Sequence, residues 1–404
     1  MQLQCSSQTC GQLLERDFSS LECPTCGDLL ELSINGFRPD PAHLRSLWKA
    51  RRTSNEPADR SGVWRFREFL PSYEGRDIIT LAESNTPLIS GIRTAKFAGT
   101  PKLQFKHLGW NPTGSFKDLG MTVAVTEARS RGARVVACAS TGNTAASMAA
   151  FAARAGITAR VYLPKGKLSR AKVAQSMDYG AEIVEIEGNF DQALSLMTQK
   201  KDSGEYFLNS INPLRIEGQK TAIFELMEQL DWNPPDYIVC PGGNLGNSSA
   251  FGKALKELHS SGLIQKVPKL VIVQASGANA LVRTVHGGGQ SLEVVSNPST
   301  CATAIAIGSP RSWKKALSAL QFTNGFVLDV SDEEILEAKA EIGRDGIGCE
   351  PASATTLAGL RRLRKGGQIG EDEHVVAILT GHVLKDPDII LKSHQSREGA
   401  RMQM

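Results

Sequence analysis

The chain has 404 residues, enough for two domains and an appendage. Its 41% hydrophobic and 22% charged residues are those of an ordinary globular protein and exclude a disordered one. A net charge of +4, from 46 basic and 42 acidic side chains that are interspersed, excludes a nucleic-acid footprint; the run Arg361-Arg362-Leu363-Arg364-Lys365 reads as the polar face and tail of a helix.

The N-terminal stretch MQLQCSSQTCGQLL has no basic segment followed by an apolar core, so no secretory signal is predicted. No apolar run reaches the length of a membrane span. Both observations predict a cytoplasmic protein. Four cysteines crowd into the first 26 residues: Cys5 and Cys10 with four residues between them, Cys23 and Cys26 with two, each pair followed by glycine. Thiolates in two tight turns converge tetrahedrally on one zinc ion at such spacings, and a closed set of four leaves a structural role only. A disulfide pair or a metal-free knuckle is the alternative. Cys138, Cys240, Cys301 and Cys349 lie in apolar or Gly-rich surroundings and are expected as buried, reduced thiols.

From Ser33 to Asp77 the chain is mixed, with RRTSNEPADRSG (51–62) as its clearest loop. NPTGSFKD (111–118) then leads into a predicted helix, with Ser115 and Asp118 spaced as a capping box. Lys117 falls in the first helical turn, where the dipole and orphan N–H groups disfavour a cation. That placement marks it as a candidate amine nucleophile for Schiff-base chemistry; a solvated lysine beside a cap is the alternative. From about residue 103 strands alternate with helices: RVVACAS, NTAASMAAFAARAG, ARVYLP, SRAKVAQSMDYG, AEIVEIE, GQKTAIFELMEQL, DYIVCP, KLVIVQA, SDEEILEAKAEIG and HVVAILT. This alternation predicts an α/β architecture with parallel sheets covered on both faces, and ligands collect at the carboxyl ends of such strands.

Three strand ends carry chemistry. At STGNT (140–144) hydroxyls, an amide and a helix start offer a site for a small anion such as a carboxylate, against the alternative of a well-capped helix. PGGNLGN (241–247) places glycines and a helix start where one phosphate fits; it is neither a Walker loop nor a dinucleotide fingerprint, and a structural Gly-rich turn is the alternative. In LTGH (379–382) Thr380 offers a neutral hydroxyl to a ring nitrogen, or simply ends a strand. A lysine nucleophile, a carboxylate pocket, a single-phosphate cup and a neutral hydroxyl are together accounted for by one cofactor, pyridoxal phosphate.

These motifs, with ESNTPL (83–88), NSINPLRIEGQK (209–220) and GCEPASATTLAGL (348–360), resemble the fold-type II pyridoxal-phosphate enzymes, and the threonine synthase family among them. The resemblance runs in order from about residue 64, at WRFREFLP, to 390. It implies a two-domain, tryptophan-synthase-β-like fold with a zinc-ribbon-like knuckle at 1–32. A large cofactor-binding α/β domain would take 33–117 and 212–404, and a small α/β domain 118–211. It also implies conversion of O-phospho-L-homoserine and water into L-threonine and phosphate by a homodimer. On the same basis Lys117 binds the cofactor and moves protons. Asn143 contacts its 3-oxygen, Gly243, Asn244, Leu245, Gly246 and Asn247 hold its phosphate, and Thr380 meets its ring nitrogen. Ser140 and Thr144 are expected at the substrate carboxylate, and Asn209, Arg215 and Asn247 at the substrate phosphate. A threonine rather than an aspartate at position 380 is expected to leave the ring nitrogen unprotonated.

A relative acting on another phosphorylated amino acid, such as a cysteate synthase using phosphoserine and sulfite, is the alternative enzyme. Arg215 argues against a dehydratase, whose substrate carries no phosphate. A zinc-ribbon binding protein on a retired enzyme scaffold is disfavoured, because the lysine, the phosphate glycines and Arg215 are all retained. His107, His286 and His382 receive no catalytic role, and HGGG (286–289) lacks the nucleophile elbow that would make it an oxyanion motif.

Overall fold

The computed structural model describes residues 1–7, 9–15, 20–34, 36–165, 170–187 and 204–391. They group into two compact units, the first made of Met1–Asn85, Asn111–Glu228 and Lys256–Leu263, the second of Thr86–Trp110, Gln229–Leu255 and the described residues from Ile264 onward. The strands are β1 (Gln2–Cys5), β2 (Leu13–Leu14), β3 (Leu30–Ser33), β4 (Leu88–Ser90), β5 (Leu103–His107), β6 (Val135–Ala139) and β7 (Thr158–Pro164). They continue with β8 (Glu182–Ile186), β9 (Glu205–Phe207), β10 (Tyr237–Pro241), β11 (Lys269–Ala275), β12 (Phe326–Val330) and β13 (Val375–Leu379).

In the first unit the cysteine-bearing segment forms a small antiparallel sheet, ordered β2-β1-β3, with Leu3, Leu30 and Leu32 turned inward. The helix Pro41–Arg51 follows, started by Pro41 and by Asp40, whose Oδ1 accepts from Ala42 N at 2.9 Å. Its Trp48 packs edge-on against Phe66 and Phe224, a buried aromatic cluster that Phe69 completes. The stretch 51–62, expected as a loop, contains a short helix, Pro57–Arg60. A parallel sheet ordered β8-β7-β6-β9 forms the rest of this unit's strand layer. The Ala-rich helix Asn143–Ala155 leaves β6 and ends on Gly156 at φ +69°. The predicted helix over SRAKVAQSMDYG is found at Arg170–Asp178, with Ser169 outside the described residues.

Two helices of this unit, Lys117–Ser130 and Pro213–Gln229, cross with their backbones almost touching. A Cβ on Gly218 would lie 1.8 Å from Leu119 O, and one on Gly120 would lie 2.8 Å from Arg215 O. Only glycine fits at either position. Gly218→Ala is therefore expected to cost at least about 3 kcal/mol, since rigid backbone must move to admit the methyl. An unchanged urea midpoint would show that the helices part freely.

The second unit carries a six-stranded sheet ordered β12-β11-β10-β13-β5-β4. Its pairs are parallel except β4 with β5, so the sheet has one antiparallel edge. β10 and β13 are buried at every residue, which is why YIVCP and VVAIL read as unbroken apolar runs rather than alternating ones. Helices Asp332–Arg344 and Pro351–Lys365 flank it, the first opened by a capping box between Ser331 and Glu334. Among the described residues no helix is long and apolar enough to cross a membrane.

Candidate active site

Lys117 is the first residue of its helix, as the spacing predicts, but the capping box does not form. Gly114, at φ +83°, turns the chain so that Thr113 rather than Ser115 lies over the Asp118 carboxylate. Asp118 accepts from Thr113 N at 2.7 Å and from Thr113 Oγ1 at 2.6 Å, while Ser115 Oγ only accepts a 3.4 Å bond from Lys117 N. Phe116 occupies the N-cap position in helical conformation, so the serine never reaches the geometry that a capping box requires. Lys117 Nζ lies 4.1 Å from the centre of the Phe116 ring, which holds the amine by a cation–π contact.

Asp118 is wholly buried, and that burial pushes its carboxyl up to about 6 from an ordinary 3.8. The folded protein therefore keeps this proton where the unfolded chain has lost it. The resulting stability is full below about pH 4 and is lost as pH rises through about 6. Asp118→Asn is expected to remove a decline on the order of 3 kcal/mol over that window. Urea unfolding of both proteins at several pH values checks it, and a mutant that keeps the wild-type slope would refute the assignment.

Three further segments of the first unit meet at neighbouring strand ends. β6 and β9 pair in parallel, Ala137 opposite Phe207, so their carboxyl ends lie side by side. Asn209 Oδ1 accepts from Ala139 N at 3.2 Å, tying the segment after β9 to STGNT. Ser140 Oγ accepts from Gly142 N at 3.3 Å, and Asn143 and Thr144 open the following helix. Arg215, in the first turn of its helix, donates from Nη1 to Leu208 O at 3.3 Å and from Nη2 to Thr144 Oγ1 at 3.5 Å, the outer edge of a hydrogen bond.

Arg215 is only 2% exposed, its Nε has no hydrogen-bond partner, and it forms no ion pair with any carboxylate among the described residues. Burial pulls its guanidinium down to about 10, with the Cys138 sulfur opposing that shift. A buried cation without a counter-ion is costly and is retained where an anion binds. Asn209 and Arg215 thus each bond to the strand end that carries STGNT, Asn209 at Ala139 N and Arg215 at Thr144 Oγ1.

In the second unit PGGNLGN joins β10 to the helix Gly246–Ser260. A Cβ on Gly242 would stand 2.6 Å from Ile272 Cγ2, and one on Gly243 3.0 Å from Ile305 Cγ2. Leu245, fully buried, sits at φ +64°, a left-handed conformation that a leucine adopts only when its surroundings impose it. Asn247 braces the turn by donating from Nδ2 to Pro241 O at 2.9 Å, and Asn244 Oδ1 accepts from Arg311 N at 2.6 Å. Tight glycines, a strained turn and a helix N-terminus make a cradle that suits a single phosphate.

Thr380 follows β13 and is 3% exposed. Its hydroxyl donates to Glu350 Oε1 at 2.9 Å and lies 3.0 Å from Ser353 Oγ. Glu350 and Ser353 lie within GCEPASATTLAGL, whose sequence alone assigns neither a role. The sequence signal was a glutamate before Pro351 at the start of a helix, and only the fold shows that its carboxylate turns to Thr380 instead of capping that helix.

The four N-terminal thiols also converge, with their sulfurs within 4.8 Å of one another and every cysteine free. Cys5 and Cys26 are 3.4 Å apart and Cys10 and Cys23 3.8 Å, close to the edge of about 3.8 Å spanned by thiolates on a tetrahedral zinc.

The residues present therefore fit pyridoxal phosphate: a lysine at a helix start, a phosphate cradle and a buried hydroxyl beyond a strand. Comparison with known proteins agrees. Residues 79–381 match the family model described as pyridoxal-phosphate dependent enzyme. The chain is 44% identical over 386 residues to the threonine synthase of Methanosarcina acetivorans, covering 95% of this chain and 92% of that one. It is 47% identical over 336 residues to that of Methanocaldococcus jannaschii, covering 83% of each. Mycobacterium leprae threonine synthase is 46% identical over 336 residues, 82% of this chain and 90% of its own. Among solved structures, the processed threonine deaminase isoform 2 of Solanum lycopersicum superposes with a TM-score of 0.65 at 19% identity, covering 87% of this chain and 94% of its own. Maize serine racemase gives 0.65 at 20% identity, with 79% and 94% covered. These likenesses carry the fold, which is the fold-type II α/β architecture expected. On the sequence relatives and the matched family, the chain belongs to the threonine synthase branch of the pyridoxal-phosphate-dependent enzymes.

Proposed function

We propose that the protein converts O-phospho-L-homoserine and water into L-threonine and phosphate, with pyridoxal phosphate as its cofactor. The observation that carries this reading is Arg215, a buried guanidinium that has no counter-ion among the described residues and donates to Thr144 Oγ1. A phosphorylated substrate supplies the missing anion, and the guanidinium fork matches it in two directions.

In this reading Arg215, Asn209 and Asn247 bind the substrate phosphate, and Ser140 and Thr144 its carboxylate. Gly243, Asn244, Leu245, Gly246 and Asn247 receive the cofactor phosphate, Asn143 its 3-oxygen and Thr380 its ring nitrogen. Bound, the cofactor supplies an electron sink. Lys117 holds the cofactor and, once released, moves protons at neighbouring substrate carbons, so that phosphate leaves and water adds. The division into a knuckle (1–32), a large domain (33–117 and 212–404) and a small one (118–211) belongs to the same proposal, as do a homodimer and a cytoplasmic setting. A monomeric mass in sedimentation would remove the homodimer.

The test is phosphate release by the cofactor-loaded protein, with the amino-acid product identified. Threonine from O-phosphohomoserine supports the proposal. Cysteate from phosphoserine and sulfite would overturn the substrate while keeping the cofactor; the two substrates differ by one methylene, worth about 1–3 kcal/mol in a pocket.

The knuckle is assigned a structural zinc on Cys5, Cys10, Cys23 and Cys26. One zinc per chain is expected by elemental analysis. Cys26→Ser is expected to lower zinc retention and leave phosphate release unchanged, because four thiolates leave no open position for catalysis. Zinc-free protein with full thermal stability would refute it.

A further inference from the structure

We propose that a cavity of the first unit, lined by no residue given a role above, is a binding site for a small dicarboxylate. Its volume is about 440 Å³, within the range of about 300–1,000 Å³ common to small-molecule sites. Arg52, Arg60 and Arg65 line it, with Asp59, two amides, two hydroxyls and a single apolar residue, Ala82.

The three arginines are short of counter-charge. Asp59 is already engaged from outside the lining: its Oδ1 accepts from Arg67 Nη1 at 2.6 Å and lies 3.5 Å from Arg51 Nε. Glu228 Oε2 lies 3.1 Å from Arg65 Nη2 and 3.8 Å from Arg52 Nη1, so one carboxylate serves two guanidinium groups. Glu225 also favours the charged form of Arg65, but its carboxylate accepts from Ser84 Oγ. Arg60 forms no ion pair among the described residues. Arg65 is 2% exposed, and its Nε has no hydrogen-bond partner. Such a buried donor is costly to leave unmade, and an anionic oxygen satisfies it.

Part of the wall is strained as well. Ala82 and Asn85 stand at φ +56° and +51°, and Ser84 between them at +68°, where residues with a side chain seldom lie. Their surroundings hold them there. Ser84 N donates to Asn111 Oδ1 at 2.7 Å, and a Cβ on Gly62 would meet Ser84 Cβ at 2.5 Å. The Asn85 amide links two of the arginines, accepting from Arg65 Nη1 and donating to Arg60 O, each at 2.8 Å. Imposed strain of this kind clusters where ligands are clamped.

The lining selects the class of ligand. With Ala82 as its only apolar residue, it gives an aromatic base or an alkyl chain nothing to pack on. Arg65 lies at the buried end, and Arg52 and Arg60, both exposed, at the open end. A molecule with a carboxylate at each end meets both, and guanidinium forks match carboxylates two oxygens at a time. Inorganic phosphate, a single compact ion, meets one end only.

The experiment is calorimetric titration of the cofactor-loaded protein with succinate, with acetate as the one-carboxylate control at matched ionic strength. It compares the wild type with Arg215→Met, which silences the proposed substrate-phosphate site, and with the double variant Arg52→Gln/Arg60→Gln. Succinate is expected to bind the wild type and Arg215→Met alike, at least about tenfold more tightly than acetate. The double variant is expected to bind it at least about tenfold more weakly. If that variant fails to fold, Arg60→Gln alone carries the same direction of change. Succinate that binds no better than acetate, or not at all, overturns the proposal. Full binding in the double variant overturns it too, and binding lost in Arg215→Met places the dicarboxylate at the substrate site instead.

Discussion

Arg215→Met is expected to give a protein at least as stable as the wild type and nearly devoid of activity. The guanidinium is buried with no carboxylate partner among the described residues, so the ligand-free fold carries its desolvation cost uncompensated. Replacing buried ionic groups by packed apolar ones is often neutral or stabilising by about 1–4 kcal/mol. Loss of a charged contact to a bound phosphate costs about 2–5 kcal/mol, which lowers kcat/KM by roughly 30- to 5,000-fold. Inorganic phosphate at 100 times its Kd is expected to stabilise the wild type by about 2.7 kcal/mol and the variant not at all. Thermal unfolding with and without phosphate checks both halves. A variant that is destabilised and still responds to phosphate would mean that Arg215 is a packing residue.

Lys117→Ala separates function from fold more sharply still. A cation in the first helical turn opposes the dipole, and alanine is the better helix former. Its removal is therefore expected to leave stability unchanged within about 0.5 kcal/mol, the loss of the Phe116 contact offsetting the gain. Phosphate release is expected to fall by about 10⁴-fold or more, at the upper end of what one positioned acid–base group supplies. The visible absorbance of the cofactor-loaded protein is expected to vanish with it. Retained colour and turnover would remove Lys117 from the chemistry.

The legible parts of the sequence were those where one local rule suffices. Unbroken apolar runs marked β10, β11 and β13, glycine punctuation marked the phosphate turn, and a lysine at a helix start was conspicuous because the dipole disfavours it. What was missed depends on partners remote in the chain. Ser115 and Asp118 have the spacing of a capping box, but Gly114 hands the carboxylate to Thr113, and spacing carries no dihedral angle. β9 has only three residues and no periodicity of its own, yet its pairing with β6 brings Asn209 to Ser140–Thr144. Asp345 caps the helix Arg93–Ala98 from 252 residues away, accepting from Arg93 N at 2.9 Å, and nothing near either segment announces it. Glu350 looked like a residue before a helix because the hydroxyl it serves lies 30 positions on.

The crossing at Gly120 and Gly218 has a consequence for changing substrate length. The helix bearing Lys117 and the helix bearing Arg215 meet through main-chain atoms, so, with the roles proposed for these two residues, their separation works as a ruler that side-chain substitutions elsewhere cannot reset. A substrate one carbon shorter or longer has to be met by the reach of side chains at either end of the ruler. Engineering for phosphoserine or a longer homologue should therefore begin at Arg215 and Asn209 and leave both glycines untouched.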